Sequence, residues 1–335
     1  MNLSENIIYP VVIVGAGIAG LVAQSVLQRH SVDSLIIEKS RGLGGRCATR
    51  RGPDFIADHG PQYLNSRLLA SPLLKPDSIQ KLKELKLESG SLHPRLIHPE
   101  GISQFAKLLS SAPQALKEER IVKITRAHIS DLMPIYLLQT ESGFVVRGKN
   151  IILTAPLPQS LALLKNLEFK DDQQEKIIEL NKIKYDPCIA MILELSSGIH
   201  LGNSGIWKYC KDTIIGIYNQ QEKGLATTIP TLVVHASPAL STSLWDQTTY
   251  EIEKSILAET LACLESNKIS ITIKKTHLHK WKYSEPQTLY PRPCVMLGYP
   301  HHECVLAGDA FKRSSIGGAF ESGEAAALAL MRQGL

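Results

Sequence analysis

Several protein classes leave marks that this chain lacks. Its six cysteines, at positions 47, 188, 210, 263, 294 and 304, include no C-x-x-C pair and no spacing of a disulfide framework. Reduced thiols in a cytoplasmic protein are therefore the expectation. Residues 1–10 carry Glu5 and no basic residue, unlike the n-region of a signal peptide. The apolar run after Pro10 is interrupted by Gly15, Gly17 and Gly20, which have a better explanation than a membrane span, so no membrane association is expected. Charge of one sign is never massed. The formal net charge is +5, with Lys and Arg spread along the chain, whereas a nucleic-acid binder concentrates them on one face. The densest basic stretch, Lys165, Lys170, Lys176, Lys182 and Lys184, is interleaved with Glu168, Asp171, Asp172, Glu175 and Glu179. That mixture reads as a solvated helix face. His301-His302-Glu303-Cys304 are adjacent rather than spaced as ligands, and no metal is expected. Repeats and low-complexity linkers are absent.

What is present begins with size. A chain of 335 residues, 44% hydrophobic, has room for two domains at about 150 residues each, both able to bury a core. Val11 to Val14 is a short β-branched run without a polar residue, suited to a parallel strand buried on both faces. Gly15-Ala16-Gly17-Ile18-Ala19-Gly20 follows at once, and then a helical pattern through Leu21, Val22, Ser25, Val26 and Leu27. The first glycine permits the tight turn, the second lets backbone approach a pyrophosphate, and the third lets helix pack against strand. The helix N-terminus offers free N–H groups and a positive dipole end to phosphate. Leu35-Ile36-Ile37 makes a second strand ending in Glu38, whose carboxylate can accept hydrogen bonds from ribose hydroxyls. Strand, glycines, helix and acid together predict a dinucleotide site. The acid argues for an unphosphorylated ribose, which leaves FAD and NAD.

A second Gly-rich loop comes next, Lys39-Ser40-Arg41-Gly42-Leu43-Gly44-Gly45-Arg46. Its glycines allow close backbone approach, and its guanidinium groups can grip pyrophosphate oxygens. An NAD dehydrogenase has no need of such a loop. Asp58-His59-Gly60-Pro61-Gln62-Tyr63 then forms a turn-rich stretch able to lie against a ring system.

The succession of G-A-G-I-A-G, E-K-S-R-G-L-G-G-R and D-H-G-P-Q-Y resembles the flavin amine oxidase superfamily, and within it the compact renalase-like branch. The likeness extends along most of the chain. Ile97 to Leu109 is similar to the family's Gly-containing helix start. Glu119 to Arg126 resembles the strand whose backbone, near Val122, contacts adenine. The T-A-P-L-P-Q-S stretch around Ala155 resembles the family's strand-to-helix return. H-K-W-K-Y-S-E-P, from His279 to Pro286, is most typical of the renalase-like branch. Near the C-terminus, Val305 to Ala310 is a strand ending in Gly308-Asp309, and Ile316 to Gly323, with Ala319 and Phe320, opens an Ala-rich helix. The resemblance implies that Asp309 contacts the ribityl and pyrophosphate region. It also implies that the helix N-terminus faces the flavin pyrimidine, where its dipole suits developing negative charge.

The resemblance thus implies non-covalent FAD. The residues carried over to it are Gly15, Ala16, Gly17, Ile18, Ala19, Gly20, Glu38, Lys39, Arg41, Gly45, Arg46, Asp58, His59, Gly60, Gln62, Val122, Ala155, Gly308, Asp309, Ala319 and Phe320. Cys47 is not expected to tether flavin, because the family's tether, where one exists, lies near the C-terminus.

The expected fold class is α/β: a Rossmann-type FAD-binding domain from residues 1–66, 94–168 and 288–335, with an inserted α+β substrate domain from 67–93 and 169–287. Within the insert, Ile189 to Leu195, Leu232 to His235 and Ile269 to Thr276 read as strands. Tyr250 to Leu264 reads as an amphipathic helix. The resemblance implies a mainly antiparallel sheet roofing the isoalloxazine, with substrate between the domains.

The chemistry expected is flavin-borne, so no nucleophile is needed and no catalytic acid or base stands out. Substrate-pocket candidates are His59, Tyr63, His279 and Trp281. His277, His279 and Trp281 alternate onto one strand face, where a structural role and a ring wall touching substrate are both open. Typical amine oxidases place a lysine early in the strand that here reads Tyr185-Asp186-Pro187-Cys188-Ile189, and no lysine stands there. Ala310 replaces their usual Trp after Gly-Asp. The renalase-like branch suggests oxidation of isomeric dihydronicotinamide dinucleotides, with O2 as acceptor and H2O2 as product. An amine oxidase or desaturase, and a protein holding FAD without catalysis, are the alternatives. The oligomeric state is open.

Overall fold

The computed structural model describes residues 7–74, 76–85, 94–109, 114–128, 134–202 and 204–335. Expectations for residues 1–6, 110–113 and 129–133 of the FAD-binding domain, and for 75, 86–93 and 203 of the inserted domain, lie outside these. The chain divides into two compact units, one of Met1–Gly45, Ala106–Lys184 and Pro286–Leu335, the other of Arg46–Phe105 and Tyr185–Glu285.

In the first unit the β-branched run forms strand β1 (Ile8–Val14), followed by helix α1 (Ile18–Arg29) and strand β2 (Ser34–Glu38). Val11, Val12 and Ile13 are wholly buried, as a strand inside a parallel sheet requires. β1 runs parallel to β2 on one side and to the Val145–Leu153 strand on the other. The His302–Leu306 strand lies parallel beyond Val145–Leu153, and Ala115–Lys117 lies parallel beyond β2. Antiparallel strands complete the sheet, Val295–Tyr299 at one edge and Ile121–His128 with Pro134–Thr140 extending from the start of Val145–Leu153. Register sets what matters for function. Val14 pairs with Ile37 and with Leu153, and Leu153 pairs with Leu306. The carboxyl ends of four neighbouring parallel strands therefore stop at one level. In open α/β sheets this edge is where ligands bind.

The second unit is built on a five-stranded sheet in the order Ile206–Lys208, Ile214–Asn219, Thr231–Ala236, Tyr185–Leu195, Ile273–Pro286, antiparallel through its first four strands. Period-two alternation assigns its faces. Ile189, Met191, Leu193 and Leu195 pack against Ile252, Ile256, Cys263 and Leu264 of the Thr249–Ser266 helix. That helix starts on a reciprocal cap between Thr248 and Glu251. The opposite face, with Ile192 and Val233, meets Phe55 and Ala57. These two belong to a ribbon of β3 (Thr49–Arg51) and β4 (Ile56–Asp58).

Two details differ from the sequence reading. The strand expected at Ile269–Thr276 runs instead over Ile273–Pro286, because its polar Lys, His and Tyr positions still alternate and pair. The contacts also partition the chain differently from the expected domains. Residues 46–66 and 94–105 join the second unit, and 169–184 with 286–287 join the first. The backbone shows why: the Asp58 N–H donates to Gln220 Oε1 at 3.0 Å, and the Ala226 N–H to the Pro99 carbonyl at 2.8 Å. In the first unit, the Gln173 amide exchanges hydrogen bonds of 2.8 and 3.0 Å with the Gly298 backbone. No helix among the described residues is long and apolar enough to cross a membrane.

Candidate functional site

The first unit's sheet end gathers most of the predicted glycines. Gly15 leaves β1 at φ +102°, a conformation that favours glycine, and its N–H donates to the Ile37 carbonyl at 2.8 Å. Gly20 is held for another reason: a Cβ there would lie 2.0 Å from the Gly15 carbonyl oxygen. Gly17 differs from both. It caps α1 in an extended conformation, and the space a Cβ would fill has nothing within 4 Å. No side chain caps α1, and no acidic residue stands in its first turn, where Ile18 and Ala19 are buried. An uncapped N-terminus beside open space is a place for an anion.

The second Gly-rich loop folds onto the first. The Gly44 N–H donates to the Ala16 carbonyl at 2.8 Å, and Gly44 bridges to Gly17. A Cβ on Gly45 would stand 3.2 Å from the Gly17 Cα. Lys39 and Arg41 are exposed on this loop. Glu38, at the end of β2, is buried and binds backbone with both oxygens. Oε2 accepts from the Ala16 N–H at 2.7 Å, and Oε1 from the Ser40 N–H at 2.8 Å. Its carboxylate thus sets the shape of both loops, with lone pairs left for a further donor.

The other strand ends complete the row. The Thr154 hydroxyl donates to the Val14 and Gly15 carbonyls, both at 3.0 Å, holding Ala155 beside the turn. Sequence reasoning did not single out Thr154; its place after the third strand was the available signal. Gly308 follows the fourth strand. Its N–H donates to Ser322 Oγ at 2.8 Å, tying Gly308-Asp309 to the Ile316–Met331 helix that carries Ala319 and Phe320. Ser315 caps that helix, accepting from the Gly318 N–H at 3.0 Å. Val122 lies on Ile121–His128 and is exposed; the segment leading to it donates from the Glu119 N–H to the Glu38 carbonyl at 3.0 Å.

In the second unit, Asp58 to Tyr63 is organised by a buried polar network. Asp58 Oδ1 accepts from the Thr49 hydroxyl at 2.7 Å and the Ile102 N–H at 2.8 Å. Lys223 Nζ stands 3.6 Å from Asp58 Oδ2, both side chains essentially without solvent contact. Lys223 also donates to Gln62 Oε1 at 2.6 Å, and Gln62 Nε2 donates to the carbonyls of Asp58 at 2.5 Å and Gly60 at 3.0 Å. Burial pushes the Lys223 ammonium down to about 8, against the pull of Asp58. Gly60 lies tight on the chain, since a Cβ there would meet the Arg46 carbonyl oxygen. Lys223 and Gln220 lie in a polar turn with no motif to mark them.

His59 faces a ring cluster instead. Its ring stacks on Trp281 with centroids 5.5 Å apart and meets His279 edge-on at 4.7 Å; His279 and Trp281 are 4.1 Å apart. Trp281 Nε1 donates to the His59 carbonyl at 2.8 Å, fixing the indole. Burial, with the charges of His279 and Arg50, holds the His59 imidazole near 4, and burial with Arg50 also lowers His279. Two predicted residues go elsewhere. Tyr63 lies under the Arg95 guanidinium at 4.3 Å and accepts from Lys208 at 2.6 Å. Arg46 donates to the carbonyls of Tyr283 and Ser284 at 3.0 and 3.2 Å. Cys47 is buried with its thiol pushed up to about 12, a poor nucleophile. All six cysteines are free.

Residues 13–71 match the family model of an NAD(P)-binding Rossmann-like domain. Among solved structures, the fold is similar to a protein from Exiguobacterium sp. 255-15 provisionally named protoporphyrinogen oxidase. The TM-score is 0.72 at 14% identity, over 97% of this chain and 99% of that one. It is also similar to putrescine oxidase bound to putrescine, with a TM-score of 0.69 at 11% identity over 97% and 99%. Likeness at these identities is a likeness of fold.

Proposed function

We propose that this chain is an FAD-dependent oxidoreductase of the flavin amine oxidase type, acting as a renalase-like oxidase on isomeric dihydronicotinamide dinucleotides. The observation that carries the cofactor is the open space at Gly17 beside the uncapped start of α1, a fit for pyrophosphate at the carboxyl end of a parallel sheet. In this reading α1 and the two Gly-rich loops hold the pyrophosphate, and Glu38 accepts from a ribose hydroxyl. Asp309 and the start of the C-terminal helix serve the flavin end. When bound, FAD would supply a two-electron acceptor for a hydride from substrate, with O2 as the final acceptor and H2O2 as product.

The substrate reading is supported by what the second unit offers. Its ring cluster is uncharged near neutral pH, with His59 held near 4 and His279 lowered. A dihydronicotinamide gains aromaticity on losing hydride, so its oxidation asks for positioning rather than for a strong base. The start of Tyr185–Leu195 carries no lysine. Free thiols fit a reducing cytoplasm. The second reading, amine oxidation, is favoured by one observation, a buried lysine at Lys223 whose ammonium burial pushes down to about 8. A donor panel under air separates them. Peroxide formed in step with isomeric dihydronicotinamide, and not with primary amines or polyamines, is the expected result. Peroxide from amines alone would overturn it.

A further inference from the structure

We infer that Arg50, His59, His279 and Trp281 form a recognition face for a heteroaromatic ligand that carries a phosphate. This deepens the reading above and rests on it for the identity of the ring.

The face comes from two strands laid along each other within the second unit. Phe55 on the β4 side stacks on His277 at 5.4 Å, and His59 meets His279 and Trp281. Residues 55, 57 and 59 thus follow 277, 279 and 281 in step, as period-two side chains on one face must. Arg50 pairs across the ribbon with Ala57, so its side chain emerges on this same face. The His59 N–H donates to the Ala48 carbonyl at 3.3 Å, which carries the ladder up to His59. Diagonal neighbours on one face of such a ladder lie about 7–8 Å apart, within reach of an arginine.

His59 packs its ring into this cluster at 8% exposure. Arg50 is exposed and makes no hydrogen bond or ion pair among the described residues. Arg51, on the opposite face, contrasts with it, donating to the Glu100 carbonyl at 2.5 Å and reaching Ser103 Oγ at 3.3 Å. The nearby carboxylates are already engaged. Asp58 faces Thr49, the Ile102 N–H and Lys223, while Glu194 lies 2.6 Å from His277. An aromatic wall with one unopposed guanidinium selects a flat ring bearing an anion, and disfavours a cationic amine.

The test compares isomeric dihydronicotinamide mononucleotide with the matching riboside, which differ only in the phosphate. With the FAD-loaded enzyme, the mononucleotide should be preferred in kcat/KM by about 10–100-fold, the range of one charge-assisted contact. Arg50→Gln should bring that ratio near one, Arg50→Lys should restore part of it, and Arg51→Gln should leave it intact. An unchanged ratio in Arg50→Gln would overturn the inference while leaving the oxidase reading in place. If neither compound is oxidised, the oxidase reading fails, and calorimetric titration with AMP and adenosine decides this inference separately. Tighter binding of AMP, lost in Arg50→Gln, supports the face; equal binding of the two overturns it.

Discussion

Gly17→Ala isolates cofactor binding from folding. Gly17 sits at φ −71° and ψ −179°, which alanine adopts without strain, and a Cβ meets no atom within 4 Å. Alanine is a poorer N-cap than glycine, costing about 0.5–1.5 kcal/mol. Reduced freedom of the unfolded chain returns about 0.4–1 kcal/mol, so the apoprotein should keep nearly its full stability. Cofactor binding is another matter, because the new methyl group occupies the place where phosphate would meet the first N–H groups of α1. Losing two hydrogen bonds to a charged acceptor, at about 1.5–3 kcal/mol each, removes about 3–6 kcal/mol. That corresponds to roughly 10²- to 10⁴-fold weaker FAD. Titrating apoprotein with FAD by quenching of flavin fluorescence, beside urea unfolding of the same apoprotein, reads both quantities. Gly20→Ala is the contrast: its Cβ would lie 2.0 Å from the Gly15 carbonyl oxygen, so it should lose stability as well. Wild-type FAD affinity in Gly17→Ala would refute the cradle.

Glu38→Ala should fail on both counts, since it strands the Ala16 and Ser40 N–H groups; at about 1–3 kcal/mol for each buried donor, thermal unfolding of the apoprotein should show a clear loss. Lys223→Met should destabilise by about 3–5 kcal/mol by leaving Asp58 buried without its cation, and the Asp58→Asn, Lys223→Met pair should cost less than the two single changes together in urea unfolding. Acid should weaken the second unit. With the His59 pKa lowered from 6.5 to about 4, the unfolded chain binds the extra proton between those values, so stability is full above pH 6.5 and falls by about 3 kcal/mol by pH 4. His59→Phe should make that limb of the urea midpoint against pH shallower, while His235, which burial also holds near 4, carries a further part of it.

Legibility followed the range of the interactions. The glycines, Glu38 and the terminal Gly308-Asp309 could be read because each answers to a local turn or strand end, and the parallel register then sets those ends side by side. The division of the chain could not be read so well. Asp58 is held by Thr49, Ile102 and Lys223, contacts spanning up to half the chain, and nothing local announces them. Lys223 lies in an ordinary polar turn; only burial makes it unusual. Arg50 and Arg51 are adjacent and chemically identical, and strand alternation alone gives them different faces.

The most direct test of the central claim is the absorbance spectrum of the purified protein, recorded anaerobically before and after addition of isomerised NADH. Flavin bands that bleach with this donor, then return on admission of air, are the predicted result. Absence of flavin bands, or bands unmoved by the donor, would contradict it.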